Sequence, residues 1–198
     1  MRSPVHLGRG AAAVTSIAAA LIAAAAAPAL AAGLGRESAG ARSAPTSTVN
    51  DILYGVAAAS RSSAWAVGTY QPGTVQRTLI ERWNGRAWRQ VRSPSPGGRA
   101  GSFLYAVAVT SKSRAWAVGT YLSGGSDRTL IERWNGTSWS KVASPDPGGP
   151  VRRSFLSAVA VSSRSSAWAA GFYDVAGAER TLIMHWNGRT WRHTPSPN

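Results

Sequence analysis

Cysteine is absent from this 198-residue chain, which excludes disulfides, thiolate nucleophiles and metal sites built on sulfur. Stability must therefore come from burial, and a 44% hydrophobic composition is enough for a core. Acidic residues number 8 and histidines 3, a short inventory for a paired-carboxylate glycosidase site or a histidine-rich metal site. His6 falls in an apolar leader, and neither His185 nor His193 has a partner at metal-ligand spacing, so no metal and no cofactor is expected. Lysine is confined to Lys112 and Lys141, the other basic residues being arginine. Helical periodicity is missing beyond the leader, as are a glycine-rich phosphate loop and a Gly-x-Ser-x-Gly elbow.

What is present begins with Arg2 and Arg9 ahead of an apolar run from Ala11 to Ala27, followed by Ala29-Leu30-Ala31 in the small-x-small form of a cleavage site. Residues 1–31 read as a signal peptide, the alternative being a retained membrane anchor. Residues 32–51 are rich in Ser, Ala, Gly and Thr with no hydrophobic period, as in a flexible leader. The expected location is therefore secreted or cell-surface, with no membrane span once the signal is cleaved. Net charge is +14, a field that attracts anionic partners such as acidic glycans or wall polymers. A GC-rich coding bias toward Ala, Arg and Gly is the preferred account, because the arginines are scattered through the repeats and do not form a block, and no specific nucleic-acid binding is expected.

Self-similarity dominates the remainder. Leu53, Leu104 and Leu156 open equivalent stretches 51 and 52 residues apart, and the same offsets relate three Ala-Trp-Ala segments (Trp65, Trp116, Trp168) and three Arg-Thr-Leu-Ile segments. They also relate three Trp-Asn-Gly turns beginning at Trp83, Trp134 and Trp186, and all 9 tryptophans obey the pattern. The repeats span 52–102, 103–154 and 155–198. Each divides into four short apolar stretches, in the first copy Leu53–Ala59, Ala64–Tyr70, Thr78–Trp83 and Trp88–Val91, separated by turn residues. The second stretch sets Trp65 and Val67 on one face and Ala64, Ala66 and Gly68 on the other. Neither face is polar, which predicts sheets covered on both sides, the bulky face of one unit against the small face of the next. In the Asn-Gly turn both residues tolerate positive φ; a loop of Asn-Gly-x-x would oppose Trp83 to Trp88, and a two-residue loop would oppose Trp83 to Arg86.

The period near 50, four strands per unit, an apolar strand ending in glycine and a downstream Trp-Asn-Gly-x-x-Trp hairpin together resemble the kelch repeat, from Leu53 to Asn198. The kelch glycine pair appears here as Gly68-Thr69, Gly119-Thr120 and Gly171-Phe172, and the hairpin also resembles the turns of sialidase-like propellers. The resemblance implies an all-β chain of three tandem four-stranded antiparallel blades of a kelch-like β-propeller. Closed propellers take about 4–8 blades, so three are incomplete as a monomer. Completion by a homodimer, a truncated array, and a β-trefoil in which three units do close are the alternatives. The copper chemistry of galactose-oxidase-type relatives needs a Cys–Tyr crosslink, which this chain cannot form.

Glu81 and Glu132 are equivalent, with Met184 in the third copy, so they read as structural partners of neighbouring arginines and not as a catalytic pair. Arg77, Arg128 and Arg180 recur in register beside Asp127 and Glu179, as in a stabilising ion pair. No catalytic residue is assigned. Divergence concentrates in the segments Gln71–Gln76, Leu122–Asp127 and Asp174–Glu179, and in Gly97–Ser102 and Gly148–Ser154, which blade topology brings to one end. The candidate ligand-binding residues in these loops are Asp127, Asp174, Glu179, Arg99, Arg152 and Arg153. The expected function is non-enzymatic binding of a glycan, wall polymer or protein. A sialidase- or lyase-like enzyme assembled across chains and a non-functional truncated array are the alternatives.

Overall fold

The computed structural model describes residues 50–197; the segment read as a signal peptide and most of the one read as a leader lie outside them. Twelve strands form three four-stranded antiparallel sheets, each in simple sequential order. The first holds β1 (Ile52–Ser60), β2 (Ser63–Tyr70), β3 (Arg77–Trp83) and β4 (Trp88–Gln90). The second holds β5 (Ser102–Ser111), β6 (Arg114–Ser123), β7 (Ser126–Trp134) and β8 (Trp139–Val142). The third holds β9 (Ser154–Val161), β10 (Ala167–Val175), β11 (Ala178–Trp186) and β12 (Trp191–Thr194). Each unit keeps its strands in a sheet of its own, and the sheets do not close on one another as a trefoil would require.

Two apolar cores hold the stack together. Trp65, Val67 and Ile80 of the first sheet pack on Leu104, Val107, Ala115, Ala117, Leu130, Trp134 and Trp139 of the second. Trp116, Val118 and Ile131 repeat this against Leu156, Ala167, Ala169, Leu182, Met184, Trp186 and Trp191 of the third. The bulky faces of β2 and β6 thus meet the small faces of the sheets that follow them, as the alternation of large and small residues requires.

The glycine expected to end each second strand lies inside it instead, the strands running on to Tyr70, Ser123 and Val175, and it is required where the first strand bulges toward it. Register slips between Leu53 and Gly55, and between Leu104 and Ala106, press the backbone so close that a Cβ on Gly68 would lie 1.8 Å from the Ile52 carbonyl oxygen. Gly119 and Gly171 meet the same obstacle at 2.0 and 1.8 Å.

The hairpin resolves in favour of the longer loop. Trp83 pairs with Trp88, Trp134 with Trp139 and Trp186 with Trp191. Only the glycine takes positive φ, 96° at Gly85. Asn84 acts through its side chain instead, its Oδ1 accepting from the Arg86 and Ala87 amides at 2.9 and 3.0 Å.

The Ser-Pro-x-Pro segments are tied down by the threonine of Arg-Thr-Leu-Ile. Thr129 Oγ1 lies 2.8 Å from Ser144 Oγ and donates to the Pro145 carbonyl at 2.9 Å, and Thr78 makes the same contacts with Ser93 and Pro94. Thr129→Val keeps the shape and removes the bonds. It is expected to lower stability by about 1 kcal/mol, read as a reduced urea midpoint with an unchanged slope.

Candidate functional site

Strand direction places two sets of connections at opposite ends of the stack. At one end the second-to-third-strand connections meet the inter-unit loops through main-chain bonds: Ser102 N to Gln76 O (3.1 Å), Leu122 N to Gly101 O (3.0 Å) and Asp174 N to Arg153 O (2.8 Å). Gln71–Gln76 is a loop, as expected from sequence. The segments Leu122–Asp127 and Asp174–Glu179 correct that expectation, since the strands run on and are closed by two-residue turns at Gly124-Gly125 and Ala176-Gly177. Asp127, Asp174 and Glu179 therefore stand on strands and not in loops.

Three of the six candidate residues converge. Arg153 Nε lies 3.3 Å from Asp127 Oδ2 and its Nη1 3.9 Å from Glu179 Oε1, while its guanidinium covers the Phe172 ring at 5.1 Å. Asp174 faces Glu179 across the β10–β11 pair. Arg99 and Arg152 are exposed and make no ion pair among the described residues. The convergent charges bridge the second and third sheets and largely neutralise one another, each exposed pair contributing no more than about 1 kcal/mol. Beneath them Tyr105 is packed among Tyr54, Phe103 and Phe155 at centroid distances of 5.2, 6.3 and 4.6 Å. Burial, and then the neighbouring Tyr54 and Asp127, raise its hydroxyl pKa above the ordinary tyrosine value.

The repeated arginines pair differently from expectation as well. Arg128 Nη1 bonds Asp146 Oδ2 at 2.7 Å, not the adjacent Asp127. Glu132 meets no arginine: it is fully buried between the first two sheets, neither carboxylate oxygen has a hydrogen-bond partner, and burial raises its pKa well above the usual range. Arg82 and Arg133 point to the opposite face of their sheets and stack on indoles. Arg82 lies 5.3 Å over Trp65 and 5.6 Å over Trp134, and Arg133 lies 5.4 Å over Trp116 and 5.8 Å over Trp186.

The other end of the stack, away from the divergent segments, carries a groove of about 480 Å³ between the first and second sheets. Arg82, Arg89 and Lys112 line it together with Ser62, Ser63, Trp83 and Asn84, and no carboxylate does. Arg82 and Arg89 are directly opposed across β3 and β4, a like-charge pairing that costs stability within a sheet. Ser63 Oγ is buried there without a hydrogen-bond partner among the described residues. Trp83 forms one flank, its Nε1 donating to the Arg61 carbonyl at 3.1 Å.

No family model matches this chain, and no curated protein matches it either. Two guanidiniums offer forked donors suited to carboxylate, sulfate or phosphate oxygens, a lysine adds a point charge, and an indole supplies an apolar flank. The corresponding residues of the second sheet are Arg133, Ser140 and Arg164, without the opposed pair. The signal was present in sequence as two arginines flanking the Trp83–Trp88 turn. Placing them on one face required the hairpin register.

Proposed function

We propose that this chain is an exported, non-enzymatic, kelch-like β-propeller-type module that binds an acidic glycan or wall polymer. The observation that carries the reading is the groove, in which Arg82, Arg89 and Lys112 converge beside Trp83 with no acid to neutralise them. The apolar leader with its small-x-small site supports export. The disposition of the acids supports binding over catalysis, since Glu132 is sealed between sheets and Asp127 and Glu179 are engaged by Arg153.

The test compares polygalacturonate with neutral dextran as ligands for the purified chain. Polygalacturonate is expected to bind and dextran not to. Arg89→Ser with Lys112→Ser, which removes two exposed charges and leaves the stacked Arg82 in place, should weaken binding by about tenfold or more, roughly 1.4 kcal/mol. Arg99→Ser with Arg152→Ser removes the same charge from the opposite end and should change it far less. An equal loss from both pairs would reduce the effect to overall charge and sink the reading.

A further inference from the structure

Each internal interface is built the same way. Trp65 lies 4.8 Å from Trp134 and 5.1 Å from Trp139, the latter edge-on at 87°. Trp116 repeats this with Trp186 and Trp191 at 5.0 and 5.2 Å, the latter at 88°. The second-strand tryptophan of one sheet thus enters a cleft formed by the hairpin tryptophans of the next, and all three become buried. The tryptophans that lack this environment are the ones at the two ends of the stack. Trp168, the second-strand residue of the third sheet, is 43% exposed, and Trp88 of the first-sheet hairpin is also 43% exposed.

Aliphatic residues tell the same story. Leu104 and Leu156 are completely buried at the inner edge of their interfaces, whereas the equivalent Leu53 is 48% exposed. Val107 is buried where Val56 is 69% exposed. Ala64, Ala66 and Leu79 at the centre of the first sheet are already buried, so its open part is the rim of Leu53, Val56 and Trp88. The third sheet presents Trp168 with His185 stacked on it at 4.1 Å, the imidazole taking the place of Arg82 and Arg133. Between them the two ends expose Trp168 and the rim of the face that would receive it, the outer parts of an interface that the chain already makes twice.

We propose that the occupant of both end faces is a second copy of this chain, docked head to tail so that Trp168 of each copy enters the Trp83–Trp88 cleft of the other. Two copies then close into a six-sheet ring with no end face left open. The contact is heterologous, and it is the closure of a pair that prevents such contacts from growing into filaments. A net charge of +14 per chain opposes the approach of two copies, so added salt strengthens the pairing through screening. Binding of an acidic polymer responds to salt in the opposite sense, which keeps the two proposals separable.

The test is sedimentation velocity on the chain expressed from its full coding sequence, with the subunit mass fixed by mass spectrometry and β structure checked by circular dichroism. The expected species is a two-chain particle, more populated at 0.5 M than at 0.05 M NaCl. Trp168→Arg and Trp88→Arg each alter a half-exposed ring, and each should yield folded single chains. Mixing the two variants restores one intact pair of faces and should regenerate a 1:1 particle. A folded single chain from the unaltered sequence at about 100 μM would overturn the proposal. So would a pair indifferent to both substitutions, or a mass that climbs past two chains with concentration.

Discussion

Trp65→Ala is expected to lower stability by about 3–5 kcal/mol, the range for emptying a tryptophan site in a packed core. Trp65 is fully buried, touches the hairpin tryptophans of the next sheet and carries Arg82 over its face. Its loss leaves a cavity at an interface whose two sides belong to different sheets and leaves the guanidinium without one of its two indoles. Trp168→Ala changes the equivalent residue on an open face and is expected to cost much less, on the order of 1 kcal/mol. Urea denaturation of both variants at concentrations where the chain is a single copy measures the contrast. Equal losses would mean that the sheets, and not their stacking, carry the stability.

Glu132→Met is expected to raise stability by about 1–3 kcal/mol at neutral pH, the usual penalty of an unsatisfied buried polar group. Methionine already fits the equivalent site, where Met184 is fully buried. The nearest cation along the sheet is Lys141, paired with Glu132 across the strands. Its amine reaches past the carboxylate to the Tyr121 hydroxyl at 3.0 Å and lies 4.1 Å over that ring. Arg82 of the facing sheet is held between indoles. The folded pKa of Glu132 is raised, so the native state holds a proton that the unfolded state releases near 4.5. Its contribution is therefore most favourable below that pH and declines as pH rises through the raised value. The wild-type melting temperature should fall over this span relative to Glu132→Met, by about 2–4 °C for each kcal/mol in a domain of this size. Glu132→Gln should flatten the pH dependence with a smaller gain in stability. Parallel wild-type and methionine profiles would refute the account.

Much of the fold was legible in the residues. The 51- and 52-residue offsets, the turn chemistry and the large–small alternation of Ala64–Tyr70 define four strands per unit and a face-to-face stack before any coordinates are considered. These features are local or periodic, and each is set by a few neighbouring side chains. Gly68 stood out in sequence as a glycine ending an apolar strand, whereas β2 runs through it to Tyr70. What requires glycine there, a bulge in β1 pressing a carbonyl against it, depends on a partner strand more than ten residues away.

The candidate site was less accessible for the same reason. Sequence variability drew attention to Asp127, Glu179 and Arg153, which the fold brings together and neutralises. The arginines that oppose each other on one sheet face, Arg82 and Arg89, lie inside the regular repeat, where alternation hides them. The sequence by itself determined the repeating unit, its strand faces and its hairpins, because backbone propensity and side-chain period act over short range. Only the tertiary structure decided which charges cancel, which carboxyl is sealed from water and which tryptophans stay exposed at the ends, because these depend on which sheet lies across from which.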